Sequence, residues 1–353
     1  MRQIRLHILW VLLLLAACNS NDDVQKTTED NLTVMLCLSI PVEDEQDTRA
    51  PGDPGYDSQL TIPTIAYIYF VNQDEEVVTL FYEDNGVKEE VPRKVTLADF
   101  FDAPSYESYT GSLSTTGDKV WRFPMKQVIL PAGTTSGKFY VVASKQPLKQ
   151  GGTNLEAVTV STETDVLALT FDLYDEDMKA DLPNIYSTPY NYNVGEPATY
   201  YSTIQENVAE VLLYHVATRV DIKWNVTNAK YDNFQSTRKV STMDVQNLKA
   251  ENCFIFKPMN NAFLGSNSYS ISLKTSDEVG RQWYGRASFY TIPYKDGNYF
   301  PLSLEVNNGA ATHTTTVSLN MTGADAVFVP WMRVNLTYDE ETDFTQDMMT
   351  LGN

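Results

Sequence analysis

A chain of 353 residues carrying 46 acidic and 26 basic side chains has a formal net charge of -20. That balance argues against binding to a phosphate backbone, since nucleic-acid affinity rests largely on cationic neutralisation, and it suits a surface that must stay soluble. Only His7, His215 and His313 are present, too few for a histidine-based metal centre or triad, while 21 Tyr, 15 Phe and many Thr and Val are strand-forming material.

Arg2 and Arg5 precede an apolar run from Ile8 to Ala17, with small residues at its end, which is the layout of a secretory leader. Such a run is too short to cross a hydrocarbon core of roughly 30 Å as a helix. The sequence Leu15-Ala16-Ala17-Cys18 resembles a bacterial lipobox, in which Cys18 becomes the acylated first residue of the mature chain. The plainer alternative is a secretory leader with an incidental cysteine, and under either reading everything downstream is extracytoplasmic. Asn19 to Asp23 is polar and acidic; it resembles the stretch behind the cysteine of surface-displayed lipoproteins in Bacteroidetes, and it equally fits a solvated tether.

Leu32, Val34, Leu36, Leu38 and Ile40 place apolar side chains on alternate positions, with Thr33, Met35, Cys37 and Ser39 between them. Period two predicts a half-buried strand. Pro41 to Pro54 follows, acidic and rich in Pro, Gly and Asp, and reads as an exposed connector containing Arg49 and Ala50.

Further strands are predicted at Ile65 to Val71, Glu76 to Tyr82, Lys119 to Leu130, Lys138 to Ala143 and Val166 to Phe171. Asp84-Asn85-Gly86 marks a hairpin and Pro131-Ala132-Gly133 a turn. Short helical turns are expected at Leu97 to Phe101 and Asp175 to Ala180. Leu182 to Tyr201 is dense in Pro, Tyr, Asn and Gly and reads as a crossing between two units. Its tyrosines 186, 190, 192, 200 and 201 fit either a sugar-stacking platform or a packed junction loop.

In the segment Glu206 to Val226, Thr203 and Glu206 stand at capping-box spacing ahead of the first half, whereas Val220, Ile222, Trp224 and Val226 alternate as in a strand, which predicts a turn of helix or irregular chain feeding a strand. Later strands are predicted at Cys253 to Phe256, Tyr269 to Lys274, Gln282 to Ile292, Tyr299 to Val306, Thr312 to Met321 and Val327 to Tyr338. Tight turns fall at Lys295 to Asn298 and Asn307 to Gly309. The tail from Asp339 is acidic and without pattern.

Nothing in the order of residues supplies a phosphate loop, a nucleophile elbow, a paired CxxC or an EF-hand. Asp172 to Asp177 is acidic but lacks calcium-loop spacing, and no two carboxylates stand out as a glycosidase pair. The expectation is therefore no enzyme, no metal and no cofactor.

The chain resembles the Bacteroidetes fimbrillins, lipoprotein-derived pilins built of two consecutive transthyretin-like β-sandwiches. The resemblance rests on the lipobox Leu15 to Cys18, the strand Leu32 to Ile40, the site Thr48-Arg49-Ala50, the segment Val211 to Ile222 and the closing strand Val329 to Tyr338. It implies an all-β fold divided into a signal peptide, 1–17, a lipidated propeptide with the first strand, 18–49, and sandwiches at 50–205 and 206–353.

The resemblance also implies outer-membrane display through lipid on Cys18. An arginine-specific protease would then cut between Arg49 and Ala50, and a strand from another fimbrial subunit would replace Leu32, Val34, Leu36, Leu38 and Ile40. Excision of that strand conflicts with a Cys37–Cys253 bridge, so two buried, unbridged thiols are expected. Two departures stand: the acidic tail is unlike the C-terminal donor strand of family stalk subunits, and Pro51 lies close behind Arg49. A lipid-retaining anchor or tip subunit and a surface glycan-binding lipoprotein are accordingly the alternatives.

Overall fold

In a computed structural model of the chain, the structure describes residues 32–42, 62–108, 119–188, 190–191, 196–197, 207–226, 239–257, 268–272, 276–278, 281–292, 299–307, 312–320, 331–339 and 343–351. The principal strands are β1 (Thr33–Val42), β2 (Ile65–Asn72), β3 (Lys119–Ile129), β4 (Gly137–Ser144), β5 (Val208–Leu212) and β6 (Thr218–Val226). They are followed by β7 (Lys239–Lys249), β8 (Arg281–Thr291), β9 (Tyr299–Asn307), β10 (Thr312–Asn320), β11 (Trp331–Asp339) and β12 (Asp343–Leu351). Helices α1 (Leu97–Phe100), α2 (Glu163–Leu167) and α3 (Glu176–Ala180) are one to two turns long.

One six-stranded sheet runs in the order β5-β1-β3, then Phe81–Asp84 and Val87–Glu90, with Ser105–Ser108 also paired to β3. A second runs Tyr214–His215, Tyr186–Ser187, β4, β2, Val77–Val78, with Lys94–Thr96 also on β2. A continuous core joins them: Val34, Leu36, Phe123, Val128 and Val211 from the first sheet meet Ala66, Ile68, Phe70, Phe139 and Val141 from the second. This is face-to-face sheet packing, a β-sandwich.

The opposite face of the second sheet is buried as well. Tyr67, Tyr69, Val71, Tyr140 and Val142 lie in another core with Leu148, Val166, Phe171, Met178 and, from the second half of the chain, Val220, Val245, Phe256 and Phe289. Burial on both faces explains why β2 reads Ile-Ala-Tyr-Ile-Tyr-Phe-Val without a polar break. The second half forms a five-stranded sheet, Ser276–Glu278, β8, β6, β11, β12, and a four-stranded sheet, Ser268–Ser272, β7, β9, β10. The chain is all-β, as its composition and periodicity predict.

Local signals explain much of this. Asn85 and Gly86 both take positive φ, 50° and 81°, which is the two-residue primed turn that the Asp-Asn-Gly sequence predicts between Phe81–Asp84 and Val87–Glu90. Gly137, at the start of β4, has no room for a side chain: a Cβ there would run into the Phe70 ring and the Val71 carbonyl oxygen. Because one obstacle is backbone in the paired strand, Gly137→Ala should cost about 1–3 kcal/mol by overpacking. A urea titration reads this as a lowered midpoint, and an unchanged midpoint would contradict the packing.

Three expectations are corrected. Of the strand expected at Val166 to Phe171 only Thr170–Phe171 is extended, because Thr162 and Asp165 close a capping box that starts helix α2 over Glu163–Leu167. Residues 208–212 form β5 rather than a turn of helix or irregular chain, since pairing with β1 overrides a weak capping signal. The acidic tail is not patternless chain: Asp343–Leu351 is β12, antiparallel to β11 at the edge of its sheet. Val208–Leu212 and Tyr214–His215 belong to the first two sheets, and β6, from Thr218, opens the next.

Candidate functional site

The predicted strand Leu32 to Ile40 becomes β1, with Leu32 packed against the core just ahead of it. Val34, Leu36, Leu38 and Ile40 are at most 3 % exposed and point between the two sheets, so the sequence alternation is used as a core-facing stripe. Burying each is worth about 1.5–3 kcal/mol.

What the sequence does not show is where β1 sits in its sheet. It lies inside, antiparallel to β3 across Thr33 to Val42 and parallel to β5 across Met35 to Ser39. Neither wall is its sequence neighbour. Met35 N–H donates to the Asn207 carbonyl at 2.8 Å, Leu213 N–H to the Ser39 carbonyl at 2.8 Å, and Leu130 N–H to the Leu32 carbonyl at 2.8 Å. Lifting β1 out would therefore leave a slot with an unpaired strand edge on each side and an apolar floor.

The two faces of β1 differ. Arg122 of β3 and Glu210 of β5 approach to 3.7 Å across the face opposite the core, and between them lies Cys37, whose Sγ accepts from Arg122 Nε at 3.1 Å. Each charged side chain is about one-third exposed, where a salt bridge alone contributes little. Burial pushes the Cys37 thiol up, against the opposing pull of Arg122. Cys253 is buried as well, with its thiol pushed up to about 12 by desolvation, and both cysteines are free, as expected.

Cys18, Arg49 and Ala50 lie outside the described residues. Of the tyrosine cluster, Tyr186 is buried at 2 % exposure, its ring centroid 4.6 Å from that of His215, so it offers no face to a sugar. Tyr190 is in a short strand, and Tyr192, Tyr200 and Tyr201 lie outside the described residues. In the acidic run, Asp172 accepts from the backbone of Gly151 and Asn252, and Asp175 caps α3 by accepting from Met178 N–H. Those carboxylates hold backbone in place. Among the described residues no cluster of three or more His, Cys, Asp or Glu is arranged for a metal ion.

Fold and groove together define an all-β protein of packed sheets whose N-terminal strand is an internal member contributed from outside the run of its neighbours. No family model and no curated protein matches the chain. Among solved structures it is similar to a fimbrial assembly protein of Parabacteroides distasonis, at 10 % identity and a TM-score of 0.48, over 90 % of this chain and 96 % of that one. It is also similar to the fimbrial anchor protein Mfa2 of Porphyromonas gingivalis, at 9 % identity and a TM-score of 0.38, over 90 % and 97 % of the two chains. A candidate cell adhesion protein of Bacteroides eggerthii aligns at 15 % identity and a TM-score of 0.43, over 90 % and 95 %. Assembly, anchoring and adhesion are what those names say of those proteins.

Proposed function

We propose that this chain is a structural subunit of a cell-surface fimbria. In this reading it is exported as a lipoprotein acylated on Cys18 and held at the outer membrane. An arginine-specific protease cuts between Arg49 and Ala50, and the chain polymerises when a strand from another subunit takes the place of β1.

The observation that carries the reading is the position of β1. A strand that fills an internal place beside the edge strand of a sheet, supplies four core side chains and is followed by a protease-accessible type of sequence is the right kind of element to be exchanged between molecules. Main-chain hydrogen bonds to both walls supply affinity, and alternate side chains set the register. Among the described residues β12, at the edge of the five-stranded sheet, pairs with β11 alone, and this makes it the better-placed donor in the C-terminal region. The alternative of a glycan-binding lipoprotein draws no support from Tyr186, which is in the core.

Brief treatment of the purified precursor with a trypsin-like protease tests the reading. Oligomers should accumulate as chains starting at Ala50 appear. Efficient cleavage at Arg49 with a product that stays monomeric would overturn it.

A further inference from the structure

The groove that β1 fills is not uniform along its length. At its middle β3 carries a bulge: Leu36 pairs with Lys126 and Leu38 with Phe123, so residues 124–125 stand against the single residue Cys37. Pro124 occupies that bulge and has no N–H to give to a neighbouring strand. Side-chain bonds operate there. Cys37 S–H donates to the Phe123 carbonyl at 3.3 Å, and Arg122 Nε–H donates to Cys37 Sγ at 3.1 Å.

From the opposite wall, Glu210 is the register partner of Cys37 and holds Arg122 at 3.7 Å. Residue 37 is fully buried. The place itself is closed to water, while the Arg122 side chain beside it is about one-third exposed, so a side chain standing there fits best when it gives a hydrogen to the Phe123 carbonyl and receives one from Arg122. A Ser, Thr or Cys side chain does both, being donor and acceptor at once and short enough to stay within a strand register. An Ala or Val side chain does neither.

We infer that the groove selects its incoming strand by one polar position: the strand that replaces β1 must set a Ser, Thr or Cys opposite the Pro124 bulge, between the large apolar residues that enter the core at the Leu36 and Leu38 places. The inference rests on the strand-replacement reading and adds to it the chemistry of the partner. The apolar positions measure how greasy the donor is; the polar position fixes its register, because a slip by one residue brings an apolar side chain against Arg122 and Glu210.

The test uses the full chain cleaved after Arg49, kept reduced, and synthetic peptides spanning Leu32 to Val42. Peptides with Cys37, Cys37→Ser and Cys37→Ala compete against a fluorescent copy of the parent peptide. The Ser peptide should match the parent within about threefold and the Ala peptide should bind about tenfold more weakly, the scale of a lost hydrogen bond to a charged donor. In Arg122→Met protein the gap between Ser and Ala should narrow.

Equal binding of Ser and Ala peptides to the parent protein would overturn the selection rule while leaving strand replacement standing. If no peptide enters the groove, both fall. The uncleaved chain gives a second readout: its urea midpoint should be higher for Cys37→Ser than for Cys37→Ala. At a site without polar partners a buried hydroxyl would be the worse replacement, so the opposite order also overturns the rule.

Discussion

Leu36→Asp or Leu38→Asp should unfold the first sandwich. Both side chains are at most 1 % exposed and lie in the core shared by the two six-stranded sheets. Each substitution removes about 1.5–3 kcal/mol of burial and adds the desolvation of an unpaired carboxylate, several kcal/mol more. A domain holds only about 5–15 kcal/mol in total, so the expected outcome is insoluble precursor or loss of the cooperative unfolding transition. Because the damage lies on β1 alone, the same substitutions in a peptide should abolish its entry into the cleaved protein. Precursor that carries either Asp and still melts like the parent would show that β1 is not an integral part of the sandwich.

Arg49→Ala should leave the protein lipidated and monomeric. While β1 is tethered through residues 43–61, its own groove sees it at an effective concentration of about millimolar. A donor strand present at about micromolar is then outcompeted by about a thousandfold. Cutting after Arg49 converts β1 to a free segment that leaves once displaced, making replacement one-way. Size-exclusion chromatography of the variant and parent, before and after protease, reads the difference. Polymers of Arg49→Ala equal to those of the parent would shift the reading to a retained anchor or a glycan-binding lipoprotein.

Much of the fold was legible because the local rules were not in conflict. β1 shows clean period two, the Asp-Asn-Gly turn sits where its backbone requires positive φ, and Asp175 caps α3. β7 is not legible in the sequence, for a physical reason. Its apolar residues Val240, Met243, Val245 and Leu248 are spaced three, two and three apart, and two register shifts, at Val240/Thr242 and Val245/Leu248, absorb the irregularity. β12 was hidden by Asp343 and Asp347, charges that an edge strand tolerates.

The apolar half of the candidate site could be read from alternation in a single stretch of sequence. Its polar half could not. Arg122, Cys37 and Glu210 come from three strands far apart in the chain, and only the parallel pairing of β1 with β5 brings the acid to the thiol. The one local hint was Pro124 inside an otherwise strand-like run, the signature of a bulge.

The most direct measurement is the N-terminal sequence and intact mass of the protein isolated from assembled surface fibres. The account predicts chains that begin at Ala50 and lack both the lipid and residues 18–49. Fibres built of chains that begin at acylated Cys18, with β1 still attached, would contradict it.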